Sequence, residues 1–534
     1  MSDLSQHEQL HHRGGGFFSR EAVRGAPWMV LGKIVLFFVY FGVSVLTVNG
    51  LGKDKFGIYS LMTNISSYLL VVCGLGLGAA LMRYVPELAT HKNHRGLIHL
   101  LWKSALLQLL ATCAVATLLL YFSAPLQRLF HAGHVEHFRF YLMLACGLVG
   151  LLLLKDFVAT VFTSLFRIRT VALLASVQGV VWLGVLSVWL VTSPEVSTVF
   201  YVQMLSIGLV YIVGLALLIR HVQGLDWHTL PYGIGKRRAL KFSGTAMLSA
   251  ILRTVMFKYS EIFFLAFAGG TTVVGMYDLG YSLPFTVVTF IPLALLGLFT
   301  AAFAEAYVRD NSCLERLISS YYKLLIMVSL PVGVVGAFFS PAAYRIIYKG
   351  EMDEAGRLAS AFCIVLLFPL ISIPLSMALK AKEKVHNMLP MMLLQIAVNL
   401  TLDWLLIVHL RWGVWGGVWA VAGTFFVTIS PRLLVARNLI GGIYFPVRFF
   451  LRILFVLVLE AGALFWVTRQ VRLFERFDSE WINIGLLFAV GAGFLLGFLL
   501  FVRILRLVRA SDIADFKALE IPRLNRLLAR LFGV

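Results

Sequence analysis

The sequence predicts an all-α, polytopic membrane protein. Its plan is about fourteen transmembrane helices: two six-helix lobes in parallel repeat around a central cavity, then two extra C-terminal helices. Three observations predict it. Of the 534 residues, 60% are hydrophobic and 13% charged, whereas soluble domains hold about 45–50% and about 25%. Apolar runs of about 20 residues, enough to cross a bilayer core as a helix, recur along the whole chain. A short pattern around Gly57 also returns around Gly275. The mean hydropathy of +0.88 excludes a soluble enzyme and a disordered chain. A barrel would show polar–apolar alternation instead.

The apolar runs fall at 28–49, 58–81, 99–122, 138–160, 171–192, 199–220, 242–267, 273–302, 322–342, 355–379, 387–409, 414–435, 447–467 and 482–503. They divide the chain into a cytoplasmic N-terminal segment (1–27), an N-lobe of spans one to six (28–220) and a cytoplasmic inter-lobe loop (221–241). A C-lobe of spans seven to twelve (242–435), spans thirteen and fourteen (436–503) and a cytoplasmic tail (504–534) follow. In the tail, Leu524, Leu527, Leu528 and Leu531 recur at helical spacing opposite Arg523, Arg526 and Arg530. That is the pattern of an amphipathic helix lying on an anionic leaflet.

The net charge of +20 is read as topology, and nucleic acid is not an expected partner. With the N-terminus inside, 32 of the 46 Lys and Arg fall on the side of the termini, 11 on the other side and three within spans. Positive charge is retained on the cytoplasmic side, so both termini are expected there. The five cysteines (Cys73, Cys113, Cys146, Cys313 and Cys363) are scattered without a CxxC pair. They form neither a disulfide framework nor a zinc site, and no metal or cofactor is expected. The Gly74-Gly76-Gly78 run lies within a span, so it is not a nucleotide loop. Gly74 and Gly78 instead form a small-xxx-small pair suited to close helix packing.

Phe-Gly-Ile-Tyr (56–59) and Val-Gly-Met-Tyr (274–277) are related by a single offset, which carries Gly57 onto Gly275 and Tyr59 onto Tyr277. The same offset carries Glu87 onto Glu305. Six spans per copy is an even number, so both copies point the same way, as in parallel-repeat transporters.

Charges inside spans need a reason, since each costs at least ~2.5–3.5 kcal/mol at the bilayer centre. Lys33 lies about 7 Å into helix one and Arg253 about 16 Å into helix seven, at about 1.5 Å per residue. Ser249, Ala250, Met256 and Phe257 surround Arg253 at helical spacing, so no acid pairs with it locally. Water, an acid on another helix or an anionic substrate would face it. Lys258 has Glu261 three residues on, the spacing of an intrahelical pair. Asp278 sits close to the outer surface, whereas Asp403 and Glu460 are deeper with no local partner. These acids pair with Arg253 or Lys258, or carry protons for coupling; the sequence leaves both open. Arg83 and Glu87, four residues apart, read as a surface pair at the cytoplasmic end of helix two, and with Glu305 they are gate candidates. Pro284, Pro292, Pro369 and Pro374 are expected to bend their helices.

Leu-Gly-Lys-Asp-Lys-Phe-Gly-Ile-Tyr-Ser-Leu (51–61) and Gly-Leu-Gly-Leu-Gly-Ala-Ala-Leu-Met-Arg-Tyr-Val-Pro-Glu (74–87) resemble the polysaccharide-export (Wzx-type) flippase family. That family belongs to the multidrug/oligosaccharidyl-lipid/polysaccharide (MOP) exporter superfamily. Val-Gly-Met-Tyr resembles the start of its second lobe. Lys-Ala-Lys-Glu-Lys-Val-His-Asn (380–387), Asn399 and Gly-Val-Trp-Gly-Gly-Val-Trp-Ala (413–420) resemble its eleventh and twelfth helices. The resemblance implies a transporter, not an enzyme, located in the bacterial cytoplasmic (inner) membrane, that moves a polyprenyl-linked oligosaccharide for surface polysaccharide synthesis. Its expected partners are the lipid-linked glycan, membrane lipids and a polysaccharide polymerase or ligase. Arg253, Lys258 and Lys33 would meet the phosphates. A drug or cation antiporter of the same superfamily, relying on acids such as Asp403, is the alternative, and a lipid II flippase another. A membrane glycosyltransferase is disfavoured by the short outer loops; a non-transporting scaffold would have paired charges and no cavity.

Overall fold

A computed structural model describes residues 2–90, 93–133, 135–165, 167–223, 235–255, 260–309, 311–382, 387, 389–471 and 480–508. Among these residues the regular elements are all helical. A bilayer core imposes this outcome, because every backbone N–H and C=O must be satisfied within the chain. Eleven helices among the described residues are long and apolar enough to cross a membrane. The chain divides into two compact units, Met1–Tyr259 and Ser260–Val534.

The first unit contains α1 (Ser2–Gly74), α2 (Leu77–Thr90), α3 (His94–Tyr121), α4 (Ser123–Leu129), α5 (Phe138–Ser164), α6 (Ile168–Thr192), α7 (Val196–Gln223) and α8 (Lys236–Thr254). The expected spans 28–49 and 58–81 lie in two arms of α1 that meet at Gly52, with φ 71° and ψ 173°. That region of backbone space is essentially open to glycine alone. Three residues on, the Lys55 ammonium donates to the Pro194 carbonyl at 2.9 Å, tying the corner to the loop between α6 and α7.

The second arm does not run on to residue 81 as expected. It stops at Gly74, and α2 starts at Leu77 after Leu75 (φ 50°) and Gly76 (φ 66°). The reason is the approach of α8. A Cβ on Gly76 would sit 2.2 Å from the Ser243 carbonyl oxygen, and the Ser243 hydroxyl donates to the Leu75 carbonyl at 2.7 Å. A Cβ on Gly74 or Gly78 would meet only ordinary contacts, at 3.9 and 4.0 Å. The glycine run therefore serves Gly76 and the docking of α8, and the expected packing pair is not its purpose.

The second unit contains α9 (Ser260–Gly269), α10 (Thr271–Arg309), α11 (Asn311–Ile347), α12 (Asp353–Val365), α13 (Ile373–Ala381), α14 (Leu389–Asp403), α15 (Gly413–Ile440), α16 (Val447–Val471) and α17 (Glu480–Ile504). A 3₁₀ turn, Phe368–Ser372, separates α12 from α13, so the expected span 355–379 is interrupted at Pro369. Proline removes the backbone donor that a continuous helix needs there. Pro284 and Pro292, in contrast, stay within a continuous α10. A π-helical turn, Trp404–His409, follows Asp403 directly. Helices α16 and α17 pack on α11, where Ile453, Val456, Phe494 and Phe498 join Tyr321 and Tyr322 in one core.

Four of the expected spans map onto the helices differently from the eleven spans. Two of them share α1; 242–267 is divided between α8 and α9; and 273–302 lies in α10. Several of the 32 positive charges counted on the side of the termini lie inside helices. Lys155 is within α5 and Arg432 within α15. The tail pattern at 523–531 lies outside the described residues.

Candidate functional site

The second unit encloses the polar cluster richest in acids. Gln395, Asn399 and Asp403 repeat every four residues on α14, so they share one face of that helix, and all three are buried. Glu261 and Ser260, on the first turn of α9, are buried as well. The Asn399 amide donates to Glu261 Oε1 at 3.0 Å. The Ser260 hydroxyl donates to Asn399 Oδ1 at 2.8 Å. Asn399 thus orients the Glu261 carboxylate and is itself held by Ser260. Neither carboxylate oxygen of Asp403 has a hydrogen-bond partner. Tyr277, on α10, is buried within electrostatic range of both acids, and its hydroxyl has no partner. A Cβ on Gly417 of α15 would come within 2.6 Å of its ring, so that glycine makes room for it. Two acids enclosed in apolar helices, one with both oxygens unmatched, are costly to keep as bare carboxylates.

The same face of α14 continues to a cation. Gln395 Oε1 accepts from the guanidinium of Arg432, which also donates to the Ser372 hydroxyl at 3.4 Å. On α15, Thr424, Thr428 and Arg432 again repeat every four residues. The first two are buried, and their hydroxyls donate to the carbonyls four residues back.

The first unit holds a cation in similar company. The Lys155 ammonium donates to Gln178 Oε1 at 3.2 Å and lies 6.0 Å from the Tyr211 ring centroid. The Gln178 amide donates to the Ser206 hydroxyl at 3.3 Å, which passes its own proton to the Gln203 carbonyl at 2.8 Å. Among the described residues Lys155 has no ion pair.

At the end of α2, Glu87 does not pair with Arg83 as the four-residue spacing suggests. It lies 3.3 Å from Arg238 of α8. The Arg83 guanidinium stacks 5.3 Å from the Phe242 ring centroid, and Arg238 sits 5.7 Å from that of Tyr84. The two rings meet edge to face at 5.9 Å. Aromatic faces attract both arginines, so Arg83 is drawn onto α8 and away from its own helix.

An apolar cavity of about 400 Å³ lies elsewhere in the second unit, lined by residues such as Leu325, Val334, Leu367, Phe368 and Phe450. Its walls offer hydrocarbon contact and almost no polar chemistry.

A model of the polysaccharide biosynthesis protein family matches residues 22–303, more than half of the chain. The chain belongs to that family. Comparison with curated protein sequences gives no match. Among solved structures, the lipid II flippase MurJ in an inward closed conformation superposes with a TM-score of 0.67. The identity is 14%, over 90% of this chain and 99% of MurJ. An inward-facing multidrug resistance MATE transporter of the MOP superfamily gives 0.62 at 15% identity, over 78% and 98% of the two chains. A MOP superfamily transporter from Pyrococcus furiosus, described as having a binding pocket of reverse polarity, gives 0.57 at 16% identity, over 79% and 96%. At such identities the likeness shows the fold. This polysaccharide biosynthesis family member is a multi-pass membrane protein with the architecture of MOP transporters.

Against that fold, the structure brings together only some of the candidates in this family member. Glu261 and Asp403 share the buried cluster. Asp278 follows Tyr277 on α10 and accepts from the Ser282 hydroxyl at 2.9 Å. Glu460 lies on α16 against α17, where a Cβ on Gly497 would come within 2.5 Å of its Oε1. Lys33 is half-buried on α1. Arg253 and Glu305 fall on α8 and α10 with side chains outside the described residues, and Lys258 lies outside those residues altogether. Lys155, Gln178, Gln395 and Arg432 were not sequence candidates. For Gln395 and Arg432 the signal was polar residues at four-residue spacing inside apolar helices, as in 395–399–403 and 424–428–432; Lys155 and Gln178 have no such pattern around them.

Proposed function

We propose that the protein is a flippase that carries a polyprenyl-(pyro)phosphate-linked oligosaccharide across the bacterial cytoplasmic membrane by alternating access. The cargo would serve surface polysaccharide synthesis. The observation that carries this reading, within a polysaccharide biosynthesis family, is a cation inside each helical unit with only neutral hydrogen-bond partners. Lys155 has Gln178, and Arg432 has Gln395 and Ser372. The Asp156 carboxylate lies within electrostatic range of Lys155, whereas Arg432 has no carboxylate partner among the described residues. A positive charge held by neutral groups suits an interior built for an anionic cargo, because a lone charge among apolar helices is costly. Arg253, Lys258 and Lys33 are proposed to meet the phosphates as they cross. The polyprenyl tail stays in hydrocarbon throughout.

The buried Glu261–Asn399–Asp403 cluster supports coupling to a proton or cation gradient. An inside-negative potential assists too, at ~2.3 kcal/mol per exported negative charge for roughly 100 mV. Both termini are proposed to be cytoplasmic, and a polysaccharide polymerase or ligase is the proposed downstream partner. The acid cluster also favours a second reading, a multidrug or cation antiporter, and the likeness to MurJ favours lipid II as cargo.

Reconstitution separates the three. Purified protein in proteoliposomes is given a fluorescent polyprenyl-pyrophosphate-linked oligosaccharide, lipid II or ethidium, and translocation is followed by quencher protection. Movement of the oligosaccharide lipid alone, slowed by Lys155→Gln, is the expected result. Movement of ethidium alone would overturn the reading.

A further inference from the structure

We propose that Arg432 and Gln395 form a binding site for a phosphate-type oxyanion within the second unit. The inference rests on the flippase reading for the source of the phosphate, not for the existence of the site.

The argument is a donor count. Gln395 is fully buried. Its Oε1 accepts from Arg432, yet its Nε2 has no hydrogen-bond partner. Turning the amide over would set its N–H groups against a guanidinium, donor against donor, so the orientation is fixed by the charge. Arg432 has five N–H donors and uses one on Ser372 and one on Gln395. The Ser372 hydroxyl gives its own proton to the Pro369 carbonyl at 2.8 Å, so it only accepts from the guanidinium. No carboxylate pairs with Arg432 among the described residues. Asp403 stands two four-residue steps beyond Gln395 on α14, about 12 Å along the helix, too far to pair. What remains is one full positive charge on a partly exposed guanidinium and, beside it, a buried amide nitrogen with no acceptor. A buried unmatched group of this kind calls for a bound species. Water could meet the amide but would leave the charge, whereas an oxyanion meets both. The planar fork of arginine matches two phosphate oxygens at once.

The first unit supplies an independent comparison. The offset that carries Gly57 onto Gly275 carries Gln178 to within one position of Gln395, and each glutamine takes a cation on its Oε1. In the first unit the circuit closes, because the Gln178 amide finds the Ser206 hydroxyl. The same offset carries Ser206 onto Thr424, whose hydroxyl is turned to the Ala420 carbonyl. The second copy thus keeps the glutamine and leaves its amide open, while its cation comes from a different place in the repeat, since the same offset carries Lys155 onto Ile373 and Gly214 onto Arg432. The cation of the open copy is an arginine, a better fork for phosphate than the lysine of the first unit. Arg432 is only partly buried, and its exposed edge gives an anion a way in.

The test uses the full-length protein in zwitterionic nanodiscs at constant ionic strength in potassium gluconate, read by thermal unfolding. One arm titrates inorganic pyrophosphate; the other incorporates a polyprenyl phosphate into the disc. The expected result is stabilisation by at least one. Response to pyrophosphate alone assigns a free phosphate, and response to the polyprenyl phosphate alone assigns a lipid-borne one. Arg432→Gln should weaken the response about tenfold or more, the loss expected for a charge-assisted fork. Gln395→Glu should abolish it and raise the unfolding temperature without anion, because the new carboxylate supplies the missing acceptor. If Arg432→Gln does not fold, Gln395→Glu decides alone. A wild-type protein indifferent to both probes overturns the proposal, and so does a response that survives Gln395→Glu. Transport of the glycan lipid with no such response would sink this site and spare the flippase reading; the converse result would do the opposite.

Discussion

Glu87 and Arg238, 151 positions apart in sequence, form an ion pair at 3.3 Å that joins α2 to α8. Half of the Arg238 side chain is exposed, so the pair itself contributes only ~0.2–1 kcal/mol. Replacing either partner by alanine should lower the unfolding temperature slightly, and added salt should erase the difference from wild type. A double-mutant cycle with a coupling near zero at low salt would show that the rings of Tyr84 and Phe242, not the charges, hold the two helices.

Gly76 is a sharper test of the same junction. Alanine there must adopt a φ of +66° and place its Cβ 2.2 Å from a backbone oxygen. The backbone cost alone is on the order of 1–3 kcal/mol. Gly76→Ala should therefore melt several degrees below wild type or fail to accumulate. Gly78→Ala, whose Cβ meets only Thr160 at 4.0 Å, should be close to neutral. Equal melting temperatures for the two variants would remove α8 docking as the reason for the break between α1 and α2.

Asp403→Asn keeps the shape of a buried side chain and removes its charge. Transport should then lose its response to an imposed proton or sodium gradient, by about 5–150-fold, while protein levels hold. Flux measured in proteoliposomes with and without a gradient checks this. A gradient response equal to wild type would take Asp403 out of the coupling site.

Arg253 carries the third functional expectation. Arg253→Ala should abolish glycan transport with normal membrane insertion, and Arg253→Lys should keep part of it, since charge survives without the fork. If Arg253 serves only to neutralise Asp403, replacing both by neutral residues should restore protein level and transport together. A well-folded, inactive double variant supports the phosphate role.

The helices were legible because bilayer thickness leaves a coarse, repeated signature of about 20 apolar residues. Their interruptions were less so. The break at Gly76 depends on α8, which returns only after five further helices, and no local pattern announces it. Pro369 ended its helix, whereas Pro292 did not, because neighbours decide whether a lost backbone bond is tolerated. For the site, the charged residues drew notice for their depth, whereas Asn399 entered only through a family pattern and Gln395 not at all. Asp403 was a candidate from its depth alone, yet Asn399 and Gln395 become meaningful only once α14 turns all three to one side. Arg83 and Glu87 show the reverse error: ideal helical spacing, overruled by two aromatic rings, one of them on another helix.

The division of the seventh expected span has a consequence for where the chain can be cut. The sequence repeat opens its second copy with α8, yet the compact body that follows begins at α9, and α8 belongs to the body before it. A cut at the border of the repeat would therefore strip the first body of a helix that packs on α1 and α2. Coexpressed halves should accordingly reassemble best when the cut follows residue 255, and poorly when it falls between 224 and 234, where α8 leaves with the wrong half.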